Sequence, residues 1–180
     1  GHLVLAAKFL NYESATLVLD VAMHVGTLGA VILYVWRDIV FMLVGVGNFF
    51  RGRTSAGGKL FLYLVFGTIP IAGAGYWINS IFPNGLRDLQ IIAWATLFFG
   101  VILFLADYLG MTLRRVEHLR LGDIFVIGIA QVLALIPGTS RSGICMTIAR
   151  ILGMERREAA HLSLLLGIPA IFGAGCLKSF

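Results

Sequence analysis

The sequence predicts an all-α polytopic membrane protein, folded as an inverted-topology repeat with two re-entrant helix pairs, one complete and one truncated. Composition is the first observation. Of the 180 residues 59% are hydrophobic and 13% charged, and the mean hydropathy is +0.93, whereas soluble domains average about a quarter charged residues. The second is a series of apolar runs close to the length a helix needs to cross a hydrocarbon core of about 30 Å. The third is residues 122–149, which lie between two basic clusters yet are too short to cross and come back. No linker or low-complexity tract divides the chain, so residues 1–180 read as a single integral membrane domain. With no initiator Met at Gly1-His2, and Phe180 inside an apolar run, the expectation is a fragment of a longer protein.

Spans are expected at about 15–36, 60–82, 89–109 and 159–177. The first contains Asp20 and His24 as its ionisable groups, the second none, and the third Asp107 near its end. The fourth contains His161 and Pro169. Short cytoplasmic loops carry the excess of Lys and Arg. Residues 37–59 supply Arg37, Arg51, Arg53 and Lys59, and residues 114–120 supply Arg114, Arg115 and Arg120. Two spans separate these loops, so both face the cytoplasm. The connection 79–88, where Arg87 is balanced by Asp88, then lies outside.

The next basic cluster is Arg150, Arg156 and Arg157. The two halves of 122–149 reach about 20 Å each as helices, short of the core thickness. The segment is therefore predicted to enter from the cytoplasmic side, break at Pro137-Gly138 and return. Irregular backbone at that depth is tolerated only inside protein or beside a water-filled cavity. Gly1–Leu10 reads as the end of a matching element entering from the opposite face, the two meeting near the midplane.

The centre of the re-entrant segment is "PGTSRSG". Pro137 breaks the incoming helix, Gly138 and Gly143 allow close backbone approach, and Thr139, Ser140 and Ser142 can cap the outgoing helix or donate to an oxyanion. A helix N-terminus with free N–H groups is a ready anion site. Arg141 adds a planar fork suited to phosphate oxygens. The alternative is a capped turn whose arginine snorkels or pairs with a carboxylate. Other phosphate motifs fit worse. Ile144-Cys145 stands where a P-loop requires Lys-Ser/Thr. Cys145 follows Arg141, where a cysteine phosphatase places its nucleophile upstream. An SRxxxxxH lipid phosphatase signature would need histidine at Thr147.

Cys145 and Cys176 sit among apolar residues and imply neither a disulfide framework nor a zinc site. Asp20 and His24, four apart on one helix, are expected to form a structural pair. His118 reads as solvated in a basic loop, and His161, near Arg157 and Glu158, as interfacial. His2 alone carries little information, although a histidine can act as nucleophile or acid/base in phosphoryl transfer.

"QVLALIPGTSRSG", "GHLVLAAKFL" and "LDVAMHVGTLGAVILYVWRDI" together resemble the bacterial undecaprenyl-diphosphate phosphatases of the bacitracin-resistance type over essentially the whole chain. That resemblance implies removal of the terminal phosphate of the C55 isoprenoid diphosphate, which recycles the lipid carrier of cell-wall synthesis. It implies His2, Ser140 and Arg141 as catalytic residues, and Gly138, Thr139, Ser142 and Gly143 as the phosphate-binding loop. It also implies a divalent metal, Mg²⁺ or Ca²⁺, for which this sequence identifies no ligand. The expected location is the bacterial inner membrane, multi-pass, with the site toward the periplasm. Expected partners are a prenyl diphosphate lipid, the bilayer and a second copy in a homodimer, but not nucleic acid. The resembled family's first motif has glutamates and serines before Gly-His that do not stand in this sequence, so these residues alone are expected to be inactive. The rival expectation is an anionic-lipid transporter or flippase that binds phosphate without cleaving it.

Overall fold

The computed structural model describes residues 16–53, 55–81, 89–110 and 114–178. His2 lies outside the described residues, as do the side chains of Asp20, His24 and Cys176. Nearly all of the described length is helical: α1 Thr16–Tyr34, α2 Trp36–Phe50, α3 Ala56–Ile81, α4 Leu89–Leu109, α5 Leu121–Ala130, α6 Arg141–Ile151 and α7 Arg156–Lys178. Two 3₁₀ turns, Val116–His118 and Gln131–Leu135, flank α5. The one extended pairing among the described residues is an isolated bridge between Arg114 and Met154. In α3, Ala56–Ile78 makes 23 residues, and α4 has 21; both are apolar enough to cross a membrane. At 1.5 Å per residue they reach about 35 and 31 Å, matching a core of about 30 Å. The chain is an all-α polytopic membrane protein.

Residues 37–59, expected as a connecting loop, instead contain α2. The run "IVFMLVGVG", residues 39–47, is apolar throughout, and the charges that mark a loop stand only to either side of it, on Arg37, Asp38, Arg51 and Arg53. The helix breaks from residues 25–34 at buried Val35, and its axis turns by 75°. It then doubles back onto α3. Ser55 caps α3 by accepting from Gly58 N–H at 3.2 Å. The helices touch backbone to backbone at Gly45, where an added Cβ would collide with Gly57 and Gly58.

Burial divides the helices into an outer and an inner set. Only 11% of the apolar window of α3 and 6% of that of α4 is buried, so Trp94, Phe98, Val101 and Phe104 face outward. The region expected as a fourth span forms α7, and it is the internal helix: Leu162, Leu165 and Leu166 are fully buried. It packs on α3 and α6, with Ile124, Ile127, Cys145 and Ala149 completing the core. Gln131 is also fully buried and donates its Nε2 to Gly67 O at 2.9 Å. That contact is close because Gly128 leaves no side chain between α5 and α3.

At one end of the bundle an ionic layer ties the inner helices to α4. Arg150, 3% exposed, pairs with Asp107 at 3.0 Å, and Arg156 Nε reaches the same carboxylate oxygen at 2.8 Å. Arg150 also donates to Asp107 O and Gly110 O, each at 3.0 Å, and to Met154 O. Nearby, Arg114 pairs with Asp123 and donates to His118 O and Leu152 O. His161, expected as an interfacial residue, pairs with Asp38 of α2 at 3.0 Å. His118 is exposed, as expected for the basic loop, and its Nδ1 accepts from Arg115 N–H.

These contacts separate two glycines of α2. Gly45→Ala is expected to lower stability by about 1–3 kcal/mol, because a backbone collision cannot be relieved by a rotamer change. Gly47→Ala, with open space around its Cα, is expected to be neutral or stabilising by up to about 1 kcal/mol. Thermal unfolding in detergent distinguishes them, and equal midpoints for the two variants would contradict the α2–α3 contact.

Candidate phosphate-binding site

The break in the re-entrant segment is local chemistry. Thr139 N–H donates to Ile136 O at 3.1 Å, with Pro137 in the second position and Gly138 at φ +92° in the third. That is a type II turn, which uses the fixed φ of proline and needs positive φ one residue later. Gly138 is required twice over, because an added Cβ would also strike the backbone of Ile92 in α4. The Thr96 hydroxyl holds the junction, lying 2.7 Å from Ile92 O and 2.9 Å from Gly138 O and sharing its one proton between them. α5 and its 3₁₀ extension lead into the turn, and α6 leads out.

Ser140 is the N-cap of α6, its Oγ accepting from Gly143 N–H at 3.3 Å and lying 3.2 Å from Ser142 Oγ. The first N–H groups of a helix have no intrahelical acceptor. With that of Gly143 taken by Ser140, those of Arg141 and Ser142 point out of the helix end toward any ligand held there. The positive end of the helix dipole favours an anion at the same place.

Arg141 is half-buried, and its guanidinium lies across α7 at Gly167, where an added Cβ would come within 2.6 Å of Nη2. Its Nη1 is buried without a hydrogen-bond partner in the protein, and so is Thr139 Oγ1. Leaving a buried polar atom unpaired costs about 1–3 kcal/mol, more for a charged group. An anion with several acceptor oxygens would meet the charged donor; a protonated phosphate oxygen or the same anion could pair with the hydroxyl.

Helix lengths give the depth. Along α7, Gly167 lies about 16 Å from Arg156 in the ionic layer, about half the thickness of a core of about 30 Å. The turn itself goes further. Gly138 meets Ile92, about 22 Å along α4 from Asp107 and within about 5 Å of the first residue of that helix. The polar loop thus approaches the end of α4 opposite the basic residues, while Arg141 reaches back toward the centre.

Of the residues singled out from sequence, Gly138, Thr139, Ser140, Arg141, Ser142 and Gly143 come together at this turn, and His2 lies outside the described residues. Thr96, Gln131 and Gly167 were not among them. All three act through contacts with other helices, which no local pattern announces; a buried glutamine in an apolar run was the one available signal. No three His, Cys, Asp or Glu side chains converge among the described residues, and the turn offers a cation and hydroxyls rather than carboxylates. The described part of the site therefore does not fit a divalent metal.

The fold and site define an integral membrane protein with a broken helix that presents an arginine and three hydroxyls at a helix N-terminus. The chain belongs to the family of the bacitracin resistance protein BacA, which it matches over residues 1–180. It is 45% identical to an undecaprenyl-diphosphatase of Desulforudis audaxviator, covering 99% of this chain and 67% of that protein. It is also 45% identical to undecaprenyl-diphosphatase 1 of Rhodospirillum rubrum, covering 98% and 65%, and 42% identical to the corresponding Jannaschia protein, covering 97% and 66%. The chain spans about two thirds of the length of these relatives.

The seating of the turn on α4 is measurable. Gly138→Ala is expected to destabilise the protein by about 1–3 kcal/mol through its positive φ and the collision with Ile92, and Thr96→Val by about 1 kcal/mol through the lost hydrogen bond. A wild-type unfolding midpoint for Gly138→Ala would mean that the turn does not rest on α4.

Proposed function

We propose that the protein hydrolyses undecaprenyl diphosphate to undecaprenyl phosphate and inorganic phosphate in the bacterial inner membrane. The observation that carries this reading is Arg141, half-buried at a helix N-terminus with a buried Nη1 lacking any partner in the protein, in a chain closely similar to proteins named for that reaction. The diphosphate headgroup binds at the turn, and the prenyl tail lies among apolar helices. Arg141, the Ser140 and Ser142 hydroxyls and the free N–H groups of α6 bind phosphoryl oxygens and stabilise the charge of the transition state. The bond between the terminal phosphorus and the bridging oxygen breaks, water supplies the replacing oxygen, and the lipid monophosphate leaves. His2, by the family resemblance, either attacks the terminal phosphorus or serves another nucleophile as acid/base. A divalent metal, when bound, would neutralise diphosphate charge; its ligands would come from beyond the described residues.

The loop's approach to the end of α4 away from Arg114, Arg150 and Arg156 supports a site open to the periplasm, since basic loops stay in the cytoplasm. The test is phosphate release from a prenyl diphosphate by the full-length protein in detergent, with and without Mg²⁺ or Ca²⁺. Arg141→Ala is expected to lower kcat/KM by about 10²–10³-fold, and Arg141→Lys to recover part of that, since lysine keeps the charge but not the fork. Unaltered turnover in Arg141→Ala would refute the site. Tight prenyl diphosphate binding with no phosphate release in either metal would favour the transporter reading.

A further inference from the structure

α7 has a glycine at the one place where Arg141 crosses it. An added Cβ at Gly167 would lie 2.6 Å from Nη2 and 3.6 Å from Cζ and Nη1. Neighbouring Leu165 and Leu166 fill the core with side chains, whereas Gly173, six residues on, has open space around it. Glycine weakens a helix interior, so its placement under the guanidinium is informative. The kind of collision matters as well. At Gly128 an added methyl would strike the backbone of Gly67, which cannot move alone; at Gly167 it strikes the far end of a flexible side chain. Alanine at 167 is therefore absorbed by moving the guanidinium, and α7 keeps its packing.

We propose that Gly167 is a positioning residue for the anion site: the space left by its missing side chain seats the Arg141 guanidinium against α7, leaving Nη1 for a ligand oxygen. The proposal rests on the reading of Arg141 as the phosphate ligand. It assigns to a residue outside the motif the task of fixing where the positive charge sits. A displacement of about 1 Å in a positioning contact costs on the order of 10²-fold in rate, and the smallest side chain added here requires a movement of that order.

Two readouts test it, affinity for inorganic pyrophosphate from its thermal shift and kcat/KM with a prenyl diphosphate, on wild type, Gly167→Ala, Arg141→Ala and the double variant in the full-length protein. Gly167→Ala is expected to weaken pyrophosphate binding and lower kcat/KM by about 10- to 100-fold, with its ligand-free unfolding midpoint at or above that of wild type. On the Arg141→Ala background the same substitution is expected to change either quantity less than about twofold, because coupled residues are not additive. Wild-type affinity in Gly167→Ala, or equal losses on both backgrounds, would overturn the proposal. If Gly167→Ala does not fold, a double variant that folds supports the seat, and one that does not refutes it. Pyrophosphate affinity that depends on Arg141 and Gly167 without any lipid phosphate release would leave the seat standing and sink the hydrolase reading instead.

Discussion

A positive charge among apolar helices must be held by something, and much of the inner architecture follows from how two arginines on one helix meet that demand. Arg150, at the C-terminal end of α6, is surrounded by acceptors: the Asp107 carboxylate and the carbonyls of Asp107, Gly110 and Met154. Arg141, at the N-terminal end, has the α7 backbone at Gly167 beside it and a buried Nη1 with no partner in the protein. The first is a structural rivet, its guanidinium buried while the Asp107 carboxylate stays partly exposed. The second has the features of a binding group, because a buried guanidinium without protein acceptors is tolerable only where a ligand or solvent reaches it.

The same constraint governs the backbone. In lipid every N–H and C=O must find a partner within the protein, yet the chain breaks between α5 and α6. The turn meets this with its own hydrogen bond from Thr139 to Ile136, the Thr96 hydroxyl on Gly138 O, and Ser140 on Gly143 N–H. The amides that remain over include the two at the start of α6, beside the arginine. The segment's need to satisfy itself thus leaves these unsatisfied donors in one place.

Local features were legible in the sequence. Pro137-Gly138 specifies its own turn, and α3 and α4 are unbroken apolar runs of spanning length. α2 was not legible, because Arg37, Arg51 and Arg53 frame its apolar stretch and their charge alone assigns the whole segment to a loop. Nor was the internal place of α7: from Leu164 to Leu177 its sequence carries no charged residue, so nothing there says whether lipid or protein covers it. The element expected to meet this turn, Gly1–Leu10, lies outside the described residues; within them the loop rests near the first residues of α4 while the guanidinium reaches Gly167 of α7. That distinction depends on which helices the turn touches. Thr96, Gln131 and Gly167 share the same origin, each being defined by a neighbour distant in sequence.

In the proposed arrangement residues 122–149 enter and leave by the face carrying the basic residues while their turn opens to the other. Single cysteines placed at Glu117, Ser140 and Arg157, with Cys145 and Cys176 replaced by alanine, report this through a membrane-impermeant thiol reagent applied to intact spheroplasts and to inverted vesicles. Position 140 is expected to label from the outer face, and positions 117 and 157 from the inner face. Labelling of 117 and 157 from opposite faces would show that the segment spans the membrane and would contradict the re-entrant hairpin.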